Sequence, residues 1–476
     1  MLFNSAIFLL CFLPIVLVFY YQLSHKNQNK FLVLASLVFY ASWDWRFLGP
    51  LLFTTTLDFW VAGRLEGSHG DPSRQAERKR YLLLSVVSNL SLLGFFKYFN
   101  FFTQSFLELG RVFGLEMNVE VLEIILPLGV SFYTFQALSY TIDVYRGELH
   151  ATNSFWDFFL AVLYFPHLIA GPIQRASLLL PQITQPRVIN RDQVLEGVHL
   201  IFWGFFKKVF IADNVSPIAD RVFGMSDPTG ADVLVGVLAF TVQIYCDFSG
   251  YTDIARGLAK IMGFEFTLNF NLPYLATNPS DFWRRWHISL SSWLRDYLYK
   301  PLGGNRDGTL MTQRNLMITM VLGGLWHGAA WNFVLWGFYH GAILAIHRWS
   351  APVLAKCGEA FGRQTGLWWA IRVAVMFVMT CYGWLLFRAT SLDQVVGMTA
   401  SLFNGLSGID WDALQTIGAY ALPLVVVQLW QYRKDDLYFL NHRHVPLVVR
   451  LIVYTIMAYA CLFQGGTTQS FVYFQF

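Results

Sequence analysis

His327 lies within residues 317–346, a 30-residue stretch with no Lys, Arg, Asp or Glu. An ionisable side chain in such a run is expensive to bury and marks a functional site by default. Imidazole is also the side chain best suited to take up a proton near neutral pH. Gly323, Gly324 and Gly328 crowd the histidine and would let a ligand or another backbone approach closely. Trp326 and Trp331 bracket it, and Asn332 adds a polar group beside them as a substrate-lining candidate. The alternative is a core histidine with one structural hydrogen bond. The cost of leaving such a group unpaired in an uncharged run favours function.

A second constellation, residues 281–298, carries His287, 40 residues before His327. Asn278 or Ser280 is placed to cap a helix starting here, with Asp281 in its first turn. Ile288, Leu290, Leu294 and Leu298 with the tryptophans would form its packed face, and Arg284, Arg285 and Arg295 a basic one. Such a face suits an anionic, phosphate-bearing donor such as a coenzyme A thioester, or anionic lipid headgroups; both readings stay open.

Two further groups are weaker. Asp247, Asp253 and Arg256 follow an apolar run and read first as a buried ion-pair network, second as orienters of a catalytic histidine. Ser249 and Cys246 lack the GxSxG setting of a nucleophile. Pro166, Gly171 and Pro172 predict a broken helix around His167, which either lines a cavity or marks a kink. Phosphate loops, HExxH and EF-hand loops are absent. His167, His287 and His327 show no metal-ligand spacing, so no metal is expected. On one continuous helix His327 and His340 would point roughly 220° apart, at about 100° per residue.

These residues need a scaffold, and composition indicates which. Of 476 residues, 55% are hydrophobic and 13% charged, against about 25% charged in a soluble protein. Apolar runs recur along the whole chain, which predicts an all-α polytopic membrane protein with room for about 10–13 spans. Thirteen candidates can be drawn, among them 6–21, 121–144, 155–170, 198–211, 315–326, 331–346 and 368–387. Several are short and glycine-interrupted, as expected of re-entrant helices buried in protein. Basic residues in the 22–30 and 64–80 loops, against the acidic 102–120 loop with Glu108, Glu116 and Glu120, put the N-terminus outside the cytosol. The start of the chain lacks a basic region and a cleavage site, so the first apolar segment is expected to remain. A net charge of +4, scattered among loops, argues against a nucleic-acid partner. The five cysteines lie far apart and predict no disulfide framework. One integral membrane domain is expected, with N-terminal spans in 1–120, a core in 125–345 and C-terminal spans in 366–476.

Six blocks resemble the membrane-bound O-acyltransferase family, in its order. They are 127–135 (PLGVSFYTF), 165–172 (FPHLIAGP), 246–253 (CDFSGYTD), 269–274 (NFNLPY), 281–287 (DFWRRWH) and 324–328 (GLWHG). The branch most similar is the bacterial alginate and peptidoglycan O-acetyltransferase type. The resemblance implies a multi-helix bundle with a funnel through the cytoplasmic membrane. It implies His327 as the catalytic histidine and His287 as the second signature residue. It further implies a cytosolic thioester donor, acetyl-coenzyme A, used as substrate with no bound cofactor, and a hydroxyl acceptor on the far side. An exported SGNH-type acetyltransferase is the expected partner. His327 would either deprotonate the acceptor or briefly carry the acetyl group. Transfer of D-alanine from a carrier protein is the neighbouring alternative within the family. A polar-lipid or glycan transporter using the histidines as proton relays is the alternative outside it, disfavoured by the lack of repeated halves.

Overall fold

The computed structural model describes residues 1–68, 70–114, 124–360, 366–440, 444–467, 469 and 471–472. Among these there is no β-strand. The acidic residues Glu116 and Glu120, used above for topology, and the start of the expected 121–144 span lie outside the described residues. Five helical stretches are long and apolar enough to cross a membrane: His25–Glu66, Pro72–Val112, Gly230–Ile261, Gly366–Arg388 and Trp411–Lys434. Other expected spans lie in helices that are shorter, less apolar or interrupted. The 155–170 run, for example, ends its first helix at Leu163, turns at Tyr164 and continues as the four-residue helix Phe165–Leu168.

The chain divides into two compact units. The first comprises Met1–Ile201 and Ile254–Thr267. Its main helices are α1 (His25–Asp44), α2 (Leu48–Glu66), α3 (Gln75–Val112), α4 (Val130–Arg146) and α5 (Phe155–Leu163). Helix α4 is buried on nearly every side. It starts after Gly129, whose φ is +71° and whose missing Cβ would lie 2.4 Å from the carbonyl oxygen of Leu168, so only glycine fits this entry. Asp58 on α2 is buried and accepts hydrogen bonds from Ser85, Asn89 and Thr141, which ties α2 to α3 and α4.

The second unit comprises Phe202–Asp253 and Leu268–Phe476. It holds most of α6 (Gly230–Ile261), then α7 (Pro279–Arg285), α8 (Ile288–Leu294), α9 (Gly308–His327), α10 (Trp331–Ala360), α11 (Gly366–Arg388), α12 (Trp411–Lys434) and α13 (Leu447–Phe463). Helices α9 and α10 form a tight hairpin. A Cβ on Gly324 would sit 2.1 Å from the Phe333 carbonyl oxygen, and one on Gly337 2.4 Å from that of Met320. The two backbones therefore touch through glycine, the small-residue packing common between membrane helices.

Candidate functional site

Helix α7 begins as expected. Asn278 Oδ1 accepts from the Asp281 N–H at 2.8 Å, and Pro279 takes a position whose N–H needs no partner. The expected single amphipathic helix over 281–298 does not form. It breaks at His287, which has a left-handed backbone with φ +43° and ψ +54°. A non-glycine residue there carries roughly 1–3 kcal/mol of strain and persists only where its surroundings hold it. Residues 269–271 do the holding: the Ile288 N–H donates to the Asn269 carbonyl and the Asn271 N–H to the Arg285 carbonyl, both at 2.9 Å. The break matters for chemistry, because it turns the His287 ring inward with no accessible surface.

Asn269 also sets the ring's tautomer. Its Oδ1 accepts from the Ser289 N–H at 3.2 Å and the Ser289 hydroxyl at 2.8 Å, which fixes the amide's orientation. The same oxygen lies 3.1 Å from His287 Nδ1, so Nδ1 bears the proton and Nε2 is the basic nitrogen. Complete burial lowers the His287 pKa to about 3 and keeps the ring neutral. Phe248 packs edge-on against it at 4.8 Å, and is itself backed by Phe471 at 5.8 Å.

His327 is the last residue of α9 and is buried. Its ring centroid lies 6.4 Å from that of His287. Trp326 touches both histidines, at 5.0 Å from His327 and 5.9 Å from His287. Trp336 and Phe387 complete the aromatic wall around His327 at 5.0 and 5.4 Å. At a helix C-terminus the carbonyl ends favour positive charge, by about 0.3–1 kcal/mol at a surface and up to about 2 kcal/mol when partly buried. A ring placed there is suited to accept a proton.

The three glycines separate by role. Gly324 meets backbone, and a Cβ on Gly328 would lie 2.0 Å from the Phe333 ring. Of the three, only Gly323 lines a cavity, and a Cβ there would meet the end of the Leu294 side chain (Cδ1) at 3.2 Å, a little tighter than ordinary contact. The cavity, of about 220 Å³, is lined by His327, Trp336, Trp283, Arg295 and Tyr299. Its remaining walls are largely apolar, including Leu290, Leu294, Leu316 and Met320.

The other predicted residues fall as follows. Trp331 is 52% exposed, and the ring that walls His327 in its place is Trp336. Asn332 is buried and donates to the carbonyls of Ala389 (2.7 Å) and Leu386 (3.4 Å), tying the start of α10 to the end of α11. Arg285 pairs with Asp281 at 2.9 Å and Arg295 with Asp296 at 3.0 Å. Arg284 is exposed, and among the described residues no carboxylate pairs with it. The expectation for His340 needs correction. The helix stops at Gly328, so His327 and His340 stand on different helices and both pack on Trp336, His340 at 4.6 Å.

Asp247 and Asp253 form buried ion pairs with Lys208 (2.7 Å) and Lys207 (2.7 Å), cations that sequence reading did not single out. Lys208 also pairs with Asp213 at 2.9 Å, and the Val472 N–H donates to Asp247 at 2.6 Å. His167 belongs to the first unit. It is fully buried between Phe266 (5.3 Å) and Tyr164 (6.0 Å), with Nε2 3.2 Å from the Val162 carbonyl. Among the described residues no group of three metal-ligating side chains occurs.

The fold and this site define an all-α polytopic membrane protein with two buried histidines, of which His327 lines a largely apolar cavity. Residues 1–387 match the membrane-bound O-acyltransferase family, to which the chain belongs. It is an O-acyltransferase, which decides between the enzyme and transporter readings. It is similar to the probable alginate O-acetylase AlgI of Azotobacter vinelandii, 46% identical over 85% of this chain and 78% of that one. The peptidoglycan O-acetyltransferase of Helicobacter pylori is 35% identical over 86% of this chain and 81% of its own. The teichoic acid D-alanyltransferase of Bacillus subtilis is 27% identical over 55% of this chain and 68% of its own.

Proposed function

We propose that this acyltransferase takes an acetyl group from acetyl-coenzyme A on the cytosolic side and delivers it for O-acetylation of an extracytoplasmic polysaccharide. The relatives named for alginate and peptidoglycan acetylation favour an acceptor of that kind, and acetyl over D-alanyl transfer. The setting is the bacterial cytoplasmic membrane with the N-terminus outside, and an exported SGNH-type acetyltransferase completes the transfer to polymer. The observation that carries the reading is the cavity joining Arg295 and Tyr299 to His327. Its volume of about 220 Å³ suits the slender thioester arm, while the charged nucleotide stays outside near exposed Arg284 and Arg295.

In the proposed step the acceptor hydroxyl gives its proton to His327. Its oxygen attacks the acetyl carbonyl, the carbon–sulfur bond breaks, and the thiolate leaves. The thiolate then takes the proton from the imidazolium, so His327 ends neutral. His287, held neutral with Nε2 as its basic nitrogen, shares the Trp326 wall with His327 and acts as a positioning residue for that ring. Positive charge arising on His327 is met by the carbonyl end of α9.

The test is acetyl transfer by purified protein in detergent. A folded His327→Ala variant that keeps wild-type turnover rejects the assignment. Acetyl-labelled protein recovered without acceptor would replace the base role by covalent carriage. For the donor, Arg295→Ala and Arg284→Ala are expected to weaken acetyl-coenzyme A binding in a salt-dependent way. Unchanged affinity in both would return the basic face to lipid headgroups.

A further inference from the structure

The second half of α10 and the first half of α11 enclose a groove of about 590 Å³ that plays no part in the chemistry above. Its walls are Ile343, Leu354, Val375 and Met379, with Arg372 and His347 as its charged or titratable members. None of its lining residues belongs to the cavity at His327.

Arg372 is the telling residue. It stands six positions after Gly366 in the membrane-spanning helix α11, about 9 Å along the axis at 1.5 Å per residue. Its Nε and Nη2 donate to the carbonyl and hydroxyl oxygens of Thr277 at 3.2 and 3.1 Å. Guanidinium has five N–H donors. Among the described residues no carboxylate pairs with Arg372. An intramembrane arginine normally has a counter-charge. A phosphate diester offers one in the geometry the guanidinium fork prefers. The exposed neighbours Arg348 and Lys356 on α10 add to the cationic field, and exposed Trp349 is the residue type that anchors at headgroup level. The apolar walls continue from this charge as an acyl chain continues from its headgroup.

We propose that this groove binds one anionic phospholipid, its phosphate on Arg372 and an acyl chain along Ile343, Leu354 and Val375. The proposal stands independently of which group the enzyme transfers. Both lipid classes carry the phosphate diester, but the choline cation of a zwitterionic lipid is repelled by the field of Arg372, Arg348 and Lys356, so the anionic lipid is expected to bind about tenfold more tightly.

The experiment is native mass spectrometry of the full-length protein, delipidated in detergent and titrated with phosphatidylglycerol or phosphatidylcholine of matched chains. The expected result is one phosphatidylglycerol held about tenfold more tightly. Arg372→Gln should erase the preference, and Arg372→Lys, which keeps the charge but not the fork, should keep only part of it. Ala351→Trp, which fills the groove from an exposed position, should weaken both lipids. Equal binding of the two lipids to the wild type overturns the proposal, as does a preference that survives Arg372→Gln in folded protein. Displacement of phosphatidylglycerol by an equal concentration of glycerol 3-phosphate also overturns it, because the acyl groove would then contribute nothing.

Discussion

Adding one methyl group at Gly324 should disable the enzyme, while the same change at Gly323 should not. A Cβ at Gly324 would lie 2.1 Å from the Phe333 carbonyl oxygen and 3.1 Å from both Gly337 Cα and Gly337 N. Ordinary contact begins near 3.4 Å, so α9 and α10 must part by more than 1 Å. Both obstacles are backbone, and neither can rotate away. His327 follows three residues later on the same helix and must move with it. A displacement of about 1 Å at a catalytic group lowers rate on the order of 10²-fold. Overpacking should also destabilise by about 1–3 kcal/mol, partly offset by the roughly 1 kcal/mol preference of a helix for alanine over glycine. At Gly323 the nearest atom is the end of a leucine side chain at 3.2 Å, which can turn aside. The assay is acetyl transfer by purified variants, with thermal unfolding alongside. A Gly324→Ala enzyme within threefold of wild type would refute the reasoning, as would equal losses in both variants.

Asn269→Ala frees the His287 ring to take either tautomer, and kcat should fall about 10–100-fold, the scale of lost ring-orienting partners, with KM little changed; a loss confined to KM would exclude the tautomer role. Burial holds the His287 pKa near 3 against an ordinary 6.5, so the unfolded chain binds that proton more readily than the folded one. The stability this ring contributes is complete above pH 6.5 and declines as pH falls toward 3. His287→Gln should therefore make the fall of Tm below pH 6.5 shallower, and an unchanged Tm profile counts against it. Lys208→Met strips the cation from Asp213 and Asp247, both buried, and should cost about 3–5 kcal/mol. That loss reads as a lowered midpoint in thermal or denaturant unfolding, and a midpoint equal to wild type would show the ion pairs contribute nothing.

What the sequence could reveal follows from where the physics is local. An ionisable ring in a charge-free run is costly wherever it lies, so His327 was legible without a structure. The Asn278 cap was legible for the same reason, since a cap depends on three or four consecutive residues. The helix breaks at Tyr164 and Gly328 depend on chain geometry. The first was marked by its neighbouring prolines; the second falls between the separate spans 315–326 and 331–346, yet a single helical wheel drawn through it wrongly separated His327 from His340. Asn269, Trp336 and Lys208 were not legible as site residues. Each acts through a contact made 18, 9 or 39 residues away (His287, His327 and Asp247), and no local pattern encodes such a pairing.

The left-handed turn at His287 shows why that matters. Propensity and apolar spacing favour a continuous helix through 281–298, and such a helix would keep its arginines on one face. The chain instead accepts a strained residue, because residues 269–271 supply the hydrogen bonds that the broken helix lacks. The strain falls on the residue whose ring must point inward, and Asn269, whose backbone helps hold the turn, also fixes its proton on Nδ1 through its side chain. Helix-forming tendency is thus overridden at one place, by one segment, with a single consequence. A buried, neutral imidazole with a defined basic nitrogen is brought within 6.4 Å of the histidine that ends α9. Any substitution that restored helix through 287 would therefore separate the two rings and give up the bonds to Asn269, and turnover by the purified variant should fall.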